Sequence, residues 1–476
     1  MTRELTPDLC IIGGGSAGLA IAAGAQQMGA DCVLIERNKM GGDCLNYGCV
    51  PSKALLAAGR SAQLEKLARQ YGVQYGAPTI DFQGVHDHVH GVIAGIAPHD
   101  SVERFEGLGV TVLTEHARFA DARTVEAGDA RVRARRFVIA TGSGPMVPPI
   151  PGLDQVPYLT NETVFELTER PEHLIVVGGG PIGSEMSQAF ANLGSRVSLV
   201  DMARVLPNDD PEAAEVVRGQ LRADGVEIHE QVKVAGVAKG ADGGVEVTLA
   251  DADGERTVAG SHILVAAGRR TNLDGLNLEA AGIEHAKGKL TVDDRLRTTN
   301  KRVFAAGDAA GSYQFTHAAA YHAGVIIKNA LFRLPAKADH SALPWVTYTH
   351  PELAHVGLSE AKAREQHGDS IRVLQAPFAD NDRARTERRT DGFVKAITTA
   401  KGQVLGCTIV GESAGELIYP WILAVQQKQK VGPLAQMIAP YPTLGEASKG
   451  AAGQFYTPKL FSERTRRIVR FLAKLG

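Results

Sequence analysis

Asp8-Leu9-Cys10-Ile11-Ile12-Gly13-Gly14-Gly15-Ser16-Ala17-Gly18 decides how this chain folds. The apolar run reads as a buried strand, and the glycines after it as a turn into a helix from Leu19 to about Met28. A second apolar strand, Cys32-Val33-Leu34-Ile35, ends in Glu36. Together they make a βαβ unit of the dinucleotide-binding kind. Gly13 allows the tight turn, Gly15 lets the backbone approach a pyrophosphate, and Gly18 lets helix and strand pack closely. Glu36 is placed to accept hydrogen bonds from an adenosine ribose.

The unit recurs. Leu174-Ile175-Val176-Val177 leads into Gly178-Gly179-Gly180-Pro181-Ile182-Gly183, a helix to about Leu193, and a strand Val197-Ser198-Leu199-Val200 ending in Asp201. The first glycines of the two loops (13 and 178) are 165 positions apart, and so are the terminal acids (36 and 201). One glycine loop often only turns a chain, whereas two complete units in identical register imply two dinucleotides.

The first unit runs directly into Gly42-Asp43-Cys44-Leu45-Asn46-Tyr47-Gly48-Cys49-Val50-Pro51-Ser52-Lys53. On a regular helix, residues five apart lie roughly 8–9 Å apart at Cα. A disulfide spans about 7 Å at most. Cys44 and Cys49 can therefore join only if the backbone is distorted there, and Gly48 and Pro51 supply the means. A strained disulfide is easily reduced, which is the behaviour of catalytic pairs. Zinc sites take four ligands, and none accompanies these two, so no metal site is expected. The ligand of the first unit must reach the cysteines, as a flavin bound as FAD does. The second unit then holds the nicotinamide cofactor. Asp201 suits a free ribose 2′-hydroxyl, and Gly183 in place of alanine agrees, so NAD(H) is favoured over NADP(H), with Arg204 leaving room for the latter.

Composition sets the bounds. The chain has 476 residues, enough for two to four domains, and its net charge of −2 implies no pull toward nucleic acid. Five cysteines in this length do not make a secreted disulfide scaffold, and Cys10, Cys32 and Cys407 fall in apolar strands as inert core residues. No apolar run reaches membrane-spanning length and no signal-peptide core opens the chain, so the cytoplasm is the expected compartment.

Further segments complete the plan. Phe137-Val138-Ile139-Ala140 ends in Thr141 and Gly142, and the proline-rich 145–151 stretch reads as a crossing linker. Ile263 to Arg269, with Gly268, is its counterpart in the second half. Val303-Phe304-Ala305-Ala306-Gly307 ends in Asp308, placed to bond a flavin's ribityl chain, ahead of a helix from Thr316 to Leu331 whose N-terminus stabilises charge on the ring. Beyond Pro344 come strands of an antiparallel sheet (393–397 and 404–410), then helices over 414–429 and 444–455, suited to dimerisation. The expected fold is α/β: two Rossmann-like domains, for FAD (1–150 and 271–343) and NAD (151–270), plus an α+β dimerisation domain (344–476).

Taken together, these residues resemble the FAD-dependent pyridine nucleotide–disulfide oxidoreductases, which include dihydrolipoyl dehydrogenase, glutathione reductase and mercuric reductase. The resemblance spans nearly the whole chain, and the 42–53 run is its most specific signature. It implies a homodimer in which electrons run from NAD(P)H through FAD to the disulfide, then to a substrate at the dimer interface. By that match Cys49 is the thiolate beside the flavin and Cys44 the interchange thiol. Lys53 matches the lysine near the flavin, and Glu185 the acid that pairs with it. Gly42, Thr141 and Gly142 fall among the FAD-facing positions, while Glu185 and Gly268 fall among those facing NAD. Disulfide reductases of the family end in a His-Pro-Thr-x-x-Glu element given by the partner subunit. Here it reads Tyr441-Pro442-Thr443-Leu444-Gly445-Glu446: Glu446 is kept and tyrosine replaces the histidine base. A phenol with a pKa of about 10 is a poor base at neutral pH. Mercuric reductase is similar at this point, although its C-terminal cysteine pair has no counterpart here.

The leading expectation is thus a flavoprotein reductase acting on a small-molecule or protein disulfide or on a thiophilic metal ion. The alternatives are a dihydrolipoyl dehydrogenase and a flavin-bearing redox sensor. His317 is a secondary candidate for proton handling near the flavin, while His322, His350 and His355 read as interface or surface residues. The tail from Lys459 is basic and amphipathic. It reads as a terminal helix docked on its own protein, the lesser alternative being peripheral contact with an anionic membrane.

Overall fold

The computed structural model describes residues 3–241, 243–311 and 313–475. The apolar runs build two parallel sheets around the two glycine loops. The first sheet has the strand order Val303–Ala305, Arg136–Ile139, Leu9–Ile12, Cys32–Ile35, Thr111–Leu113, every neighbour parallel. The second runs Val226–Glu230, Arg196–Asp201, His173–Val177, His262–Val265, again all parallel. In each, the chain leaves the strand before the glycine loop and crosses to one side, while a later strand docks on the other. The loop therefore sits at the switch point, where open α/β sheets bind their ligands.

The 165-residue repeat is physical as well as textual. Gly13 and Gly178 have φ of +113° and +115°. A Cβ there would lie 2.3 and 2.4 Å from the carbonyl oxygens of Ala140 and Ala266, so only glycine fits. The helices that follow are Ser16–Gln27 and Pro181–Asn192. The proline-rich crossing begins with Ser143–Pro145, which pairs antiparallel with Arg269–Thr271, so the outgoing and returning connections brace each other.

The last third packs helices on an antiparallel sheet ordered Pro344–Thr347, Glu352–Gly357, Val404–Gly411, Phe393–Thr399, Ile371–Pro377. Trp421 is fully buried there, and its indole donates to Ser448 Oγ at 3.0 Å. Cys10, Cys32 and Cys407 are buried, and burial pushes their thiols up, which keeps them protonated and inert. Among the described residues no helix is long and apolar enough to cross a membrane.

Several expectations are corrected. His322 and His355 are neither surface nor interface residues, being 0% and 3% exposed. His322 Nδ1 accepts from the Gly307 amide at 3.1 Å and its Nε2 meets His340 Nε2 at 2.8 Å. His355 bonds Thr408 Oγ1 and the Gly357 carbonyl. Satisfied in this way they pack as neutral core groups, and burial lowers both to about 4. The helix expected over 414–429 is two pieces, Ala414–Leu417 and Tyr419–Gln426, with Pro420 in the first turn of the second. The tail helix Glu463–Leu472 buries no residue against the rest of this chain, Phe471 being 63% and Leu472 55% exposed, which leaves its apolar face to the partner subunit or another surface.

Candidate active site

Cys44 lies in the short helix Gly42–Asn46 and Cys49 opens the helix Cys49–Ala62. Between them Tyr47 (φ −141°) and Gly48 (φ −128°, ψ −111°) leave helical geometry, which is the distortion the spacing requires. A Cβ on Gly48 would lie 3.0 Å from the Asp43 carbonyl oxygen and 2.8 Å from its Oδ2, so the break is a tight fit for any residue with a side chain. Asn161 ties it down from the far end of the crossing segment, donating to Asp43 Oδ1 at 3.0 Å and the Tyr47 carbonyl at 3.2 Å. Both cysteines are free, and the Cys44 thiol is close enough to Cys49 to act as its hydrogen-bond partner in ionisation.

The two sulfurs have opposite electrostatics. Cys49 is lowered to about 6, first by the hydrogen bond from Cys44, then by Thr316 and by the Lys53 charge, against the opposing effect of burial. Cys44 is raised, by that same hydrogen bond, by burial and by the Cys49 charge. Thr316 Oγ1 is 3.4 Å from Cys49 Sγ and begins the helix Thr316–Ala330. Two helix N-termini therefore meet at one sulfur, each favouring negative charge there. These opposite shifts favour a thiolate at Cys49 and a protonated thiol at Cys44.

Lys53, one turn along from Cys49, places Nζ 2.8 Å from Glu185 Oε2 and 4.4 Å from the Tyr348 ring centroid. Glu185, only 6% exposed, accepts the Tyr348 amide on its other oxygen at 2.9 Å. Because Glu185 belongs to the helix after the second glycine loop, the pair links that unit to the redox helix.

The cofactor positions fit dinucleotides. Glu36 and Asp201 brace their loops alike, accepting from the Gly14 and Gly179 amides at 2.6 and 2.5 Å, with lone pairs left for a ribose. A Cβ on Gly15 would meet only Gly42 Cα at 3.7 Å, and one on Gly180 would meet nothing within 4 Å, so both loops present open backbone. Gly18 and Gly183 are the close-packing positions, a Cβ on either falling 1.8 Å from the carbonyl oxygen at the loop start. Thr141 Oγ1, beside Gly142, is buried with no hydrogen-bond partner, a hydroxyl suited to a polar cofactor. Asp308 is raised by burial and accepts from Ser143 Oγ at 2.5 Å. Gly268 lies just before Arg269 with φ +132°.

Tyr441 is 71% exposed, and its phenol donates to Asp382 Oδ2 at 3.1 Å, which raises it further from a useful base. Glu446 begins the helix Glu446–Gln454 and accepts from the Thr443 amide at 3.3 Å. Within the chain neither of them bonds the cysteine pair. His317 stacks on Phe315 and bonds the Pro344 carbonyl at 2.8 Å, so it too is engaged elsewhere. Three residues of the site escape sequence reasoning. Thr316 touches Cys49. Tyr348 covers Lys53. Arg269 bonds Ser143 at 2.8 Å and Asp43 at 3.0 Å, joining the cysteine helix to the crossing strands.

Residues 7–323 match the pyridine nucleotide-disulphide oxidoreductase family. This chain belongs to that family. Residues 343–452 match its dimerisation domain, so the enzyme is a homodimer. A mercuric reductase from Streptomyces lividans is 37% identical over 94% of this chain and 96% of its own. A dihydrolipoyl dehydrogenase from Bacillus subtilis (strain 168) is 34% identical over 94% of this chain and 95% of its own. Among solved structures, the Cu(II) complex of the HOCl-induced flavoprotein disulfide reductase RclA from Escherichia coli superposes with a TM-score of 0.84. It is 26% identical and covers 95% of this chain and 100% of that one. The protein is an FAD-dependent pyridine nucleotide–disulfide oxidoreductase.

Proposed function

We propose that Cys44 and Cys49 are the redox pair and that they pass electrons to a soft metal ion or a disulfide, with NADH as the preferred donor. The observation that carries this is the split of the pair into a stabilised thiolate at Cys49 and a protonated thiol at Cys44. FAD, when bound, supplies the two-electron relay between nicotinamide and sulfur. Breaking the Cys44–Cys49 bond takes two electrons and one proton. The proton stays on Cys44, while Thr316, Lys53 and the helix N-termini hold the charge on Cys49. A disulfide acceptor is then attacked by Cys44 sulfur as its proton departs, and the acceptor's first thiol leaves. Cys49 thiolate attacks Cys44, restores the bond and releases the second sulfur as a thiolate, which takes its proton from water.

Tyr441 supports a metal over a disulfide as the acceptor. An exposed phenol raised by Asp382 takes the Cys44 proton poorly, which disfavours thiol–disulfide exchange. A soft cation needs no such base, because it displaces the proton on binding sulfur. The mercuric reductase relatives and the Cu(II)-bound RclA agree with a metal acceptor. Asp201, which accepts from the Gly179 amide and pairs with no arginine among the described residues, supports NADH. The domain division 1–150 with 271–343, 151–270 and 344–476 is supported by the three sheets and their crossing strands.

A panel of Hg(II), Cu(II), oxidised glutathione and lipoamide, each with NADH and with NADPH, tests the proposal on the parent and on Tyr441→His. We expect metal turnover to exceed disulfide turnover in the parent, and kcat/KM to be higher with NADH. Tyr441→His should raise disulfide turnover about tenfold or more, the scale of general-base assistance. Fast lipoamide turnover by the parent would overturn the metal reading in favour of a dihydrolipoyl dehydrogenase.

A further inference from the structure

The helix Phe82–Ile96 carries His86 and His90 one turn apart, so both imidazoles leave the same face. Their ring centroids are 4.2 Å apart. Facing them is Glu166, the last residue of the short turn Val164–Glu166, with Oε2 at 3.8 Å from His90 Nε2. One ligand atom from each of the three side chains lies within 4.8 Å of the others. We infer that His86, His90 and Glu166 form a binding site for a divalent transition-metal ion of the zinc class, separate from the cysteine pair.

The donor set selects the ion. Two imidazole nitrogens and one carboxylate suit Zn(II) and its first-row neighbours, whereas Ca(II) and Mg(II) ask for oxygen throughout. Ligand atoms around a tetrahedral zinc lie about 3.4 Å apart. Glu166, 56% exposed, has room to change rotamer toward the two imidazoles. One supporting contact is already in place. Asp87 Oδ1 is 3.1 Å from His86 Nδ1, which orients that ring and leaves its Nε2 for the ion. His90 Nε2 lies 3.1 Å from the Phe165 carbonyl and would exchange that contact for the ion on binding. A fourth position would fall to water. A bound ion would join the helix packed on Cys49–Ala62 to the segment leading into the second parallel sheet.

The test is equilibrium dialysis of the oxidised holoenzyme against Zn(II) alone, with the Cys44–Cys49 bond closed so that neither thiol competes. Cobalt(II) absorption serves as an independent readout of coordination. We expect one ion per chain, with affinity lowered at least tenfold in His86→Ala, His90→Ala and Glu166→Gln, at unchanged FAD content. Glu166→Gln lies outside the helix and so keeps the test open if a histidine variant folds poorly. Absence of binding by the parent, or equal binding by all the variants, would overturn the site.

Discussion

Cys44→Ser is expected to cut NADH-driven reduction of any thiol-dependent acceptor by on the order of a thousandfold or more, the scale seen when a nucleophile is removed. Reduction of ferricyanide, which needs no thiol, should persist. The same substitution separates the two sulfurs' roles. Serine still offers a hydroxyl donor to Cys49, so Cys49 should remain a thiolate down to about pH 6, as in the parent. Cys44→Ala removes the largest cause of the low value, and Cys49 should then titrate closer to an ordinary thiol. The sign is fixed by the direction of the shift. A lowered thiol is ionised above its pKa, so its iodoacetamide alkylation falls about tenfold per pH unit below it. Alkylation profiles of the two variants read this directly, and a Cys44→Ser profile that moved upward as far as that of Cys44→Ala would discount the hydrogen bond.

Lys53→Met should have the next largest effect. It removes a positive charge that favours Cys49 thiolate and leaves Glu185, 6% exposed, without its 2.8 Å partner. Stranding a nearly buried carboxylate costs about 1–3 kcal/mol when, as here, the lost partner was itself partly in water. Urea unfolding of the holoenzyme checks this. Pairing the change with Glu185→Gln should restore most of the stability, since no unpaired charge is then left. Cys49 should still titrate higher in the double variant than in the parent, because the lysine charge is gone. Recovery of stability without recovery of the titration would separate structural support from tuning of the sulfur. Joint recovery would mean that Lys53 acts only as a strut.

Much of this architecture is legible in the chain itself, because the physics involved is local. The glycine loops are written twice in the same register, and the steric reason, carbonyl oxygens of Ala140 and Ala266 against the turn, is the same at both. The cysteine spacing announces a broken helix, and Gly48 breaks it. What escaped is brought together by the fold over long separations. Thr316 reaches Cys49 across 267 positions, and Tyr348 reaches Glu185 across 163. Nothing in a local pattern marks either. His322 and His355 read as surface residues because a lone histidine in a sequence gives no sign of the partners that satisfy it in the core. His86 and His90 do carry the spacing of a ligand pair, but Glu166 lies 76 positions from His90 and only the fold supplies it.

The central claim is that reducing equivalents from the nicotinamide come to rest on Cys44 and Cys49. Anaerobic addition of one equivalent of NADH to the oxidised holoenzyme, followed by alkylation and peptide mass spectrometry, tests it most directly. The account predicts that Cys44 and Cys49 both become labelled while Cys10, Cys32 and Cys407 do not. Bleaching of the flavin with the pair still unlabelled would contradict it.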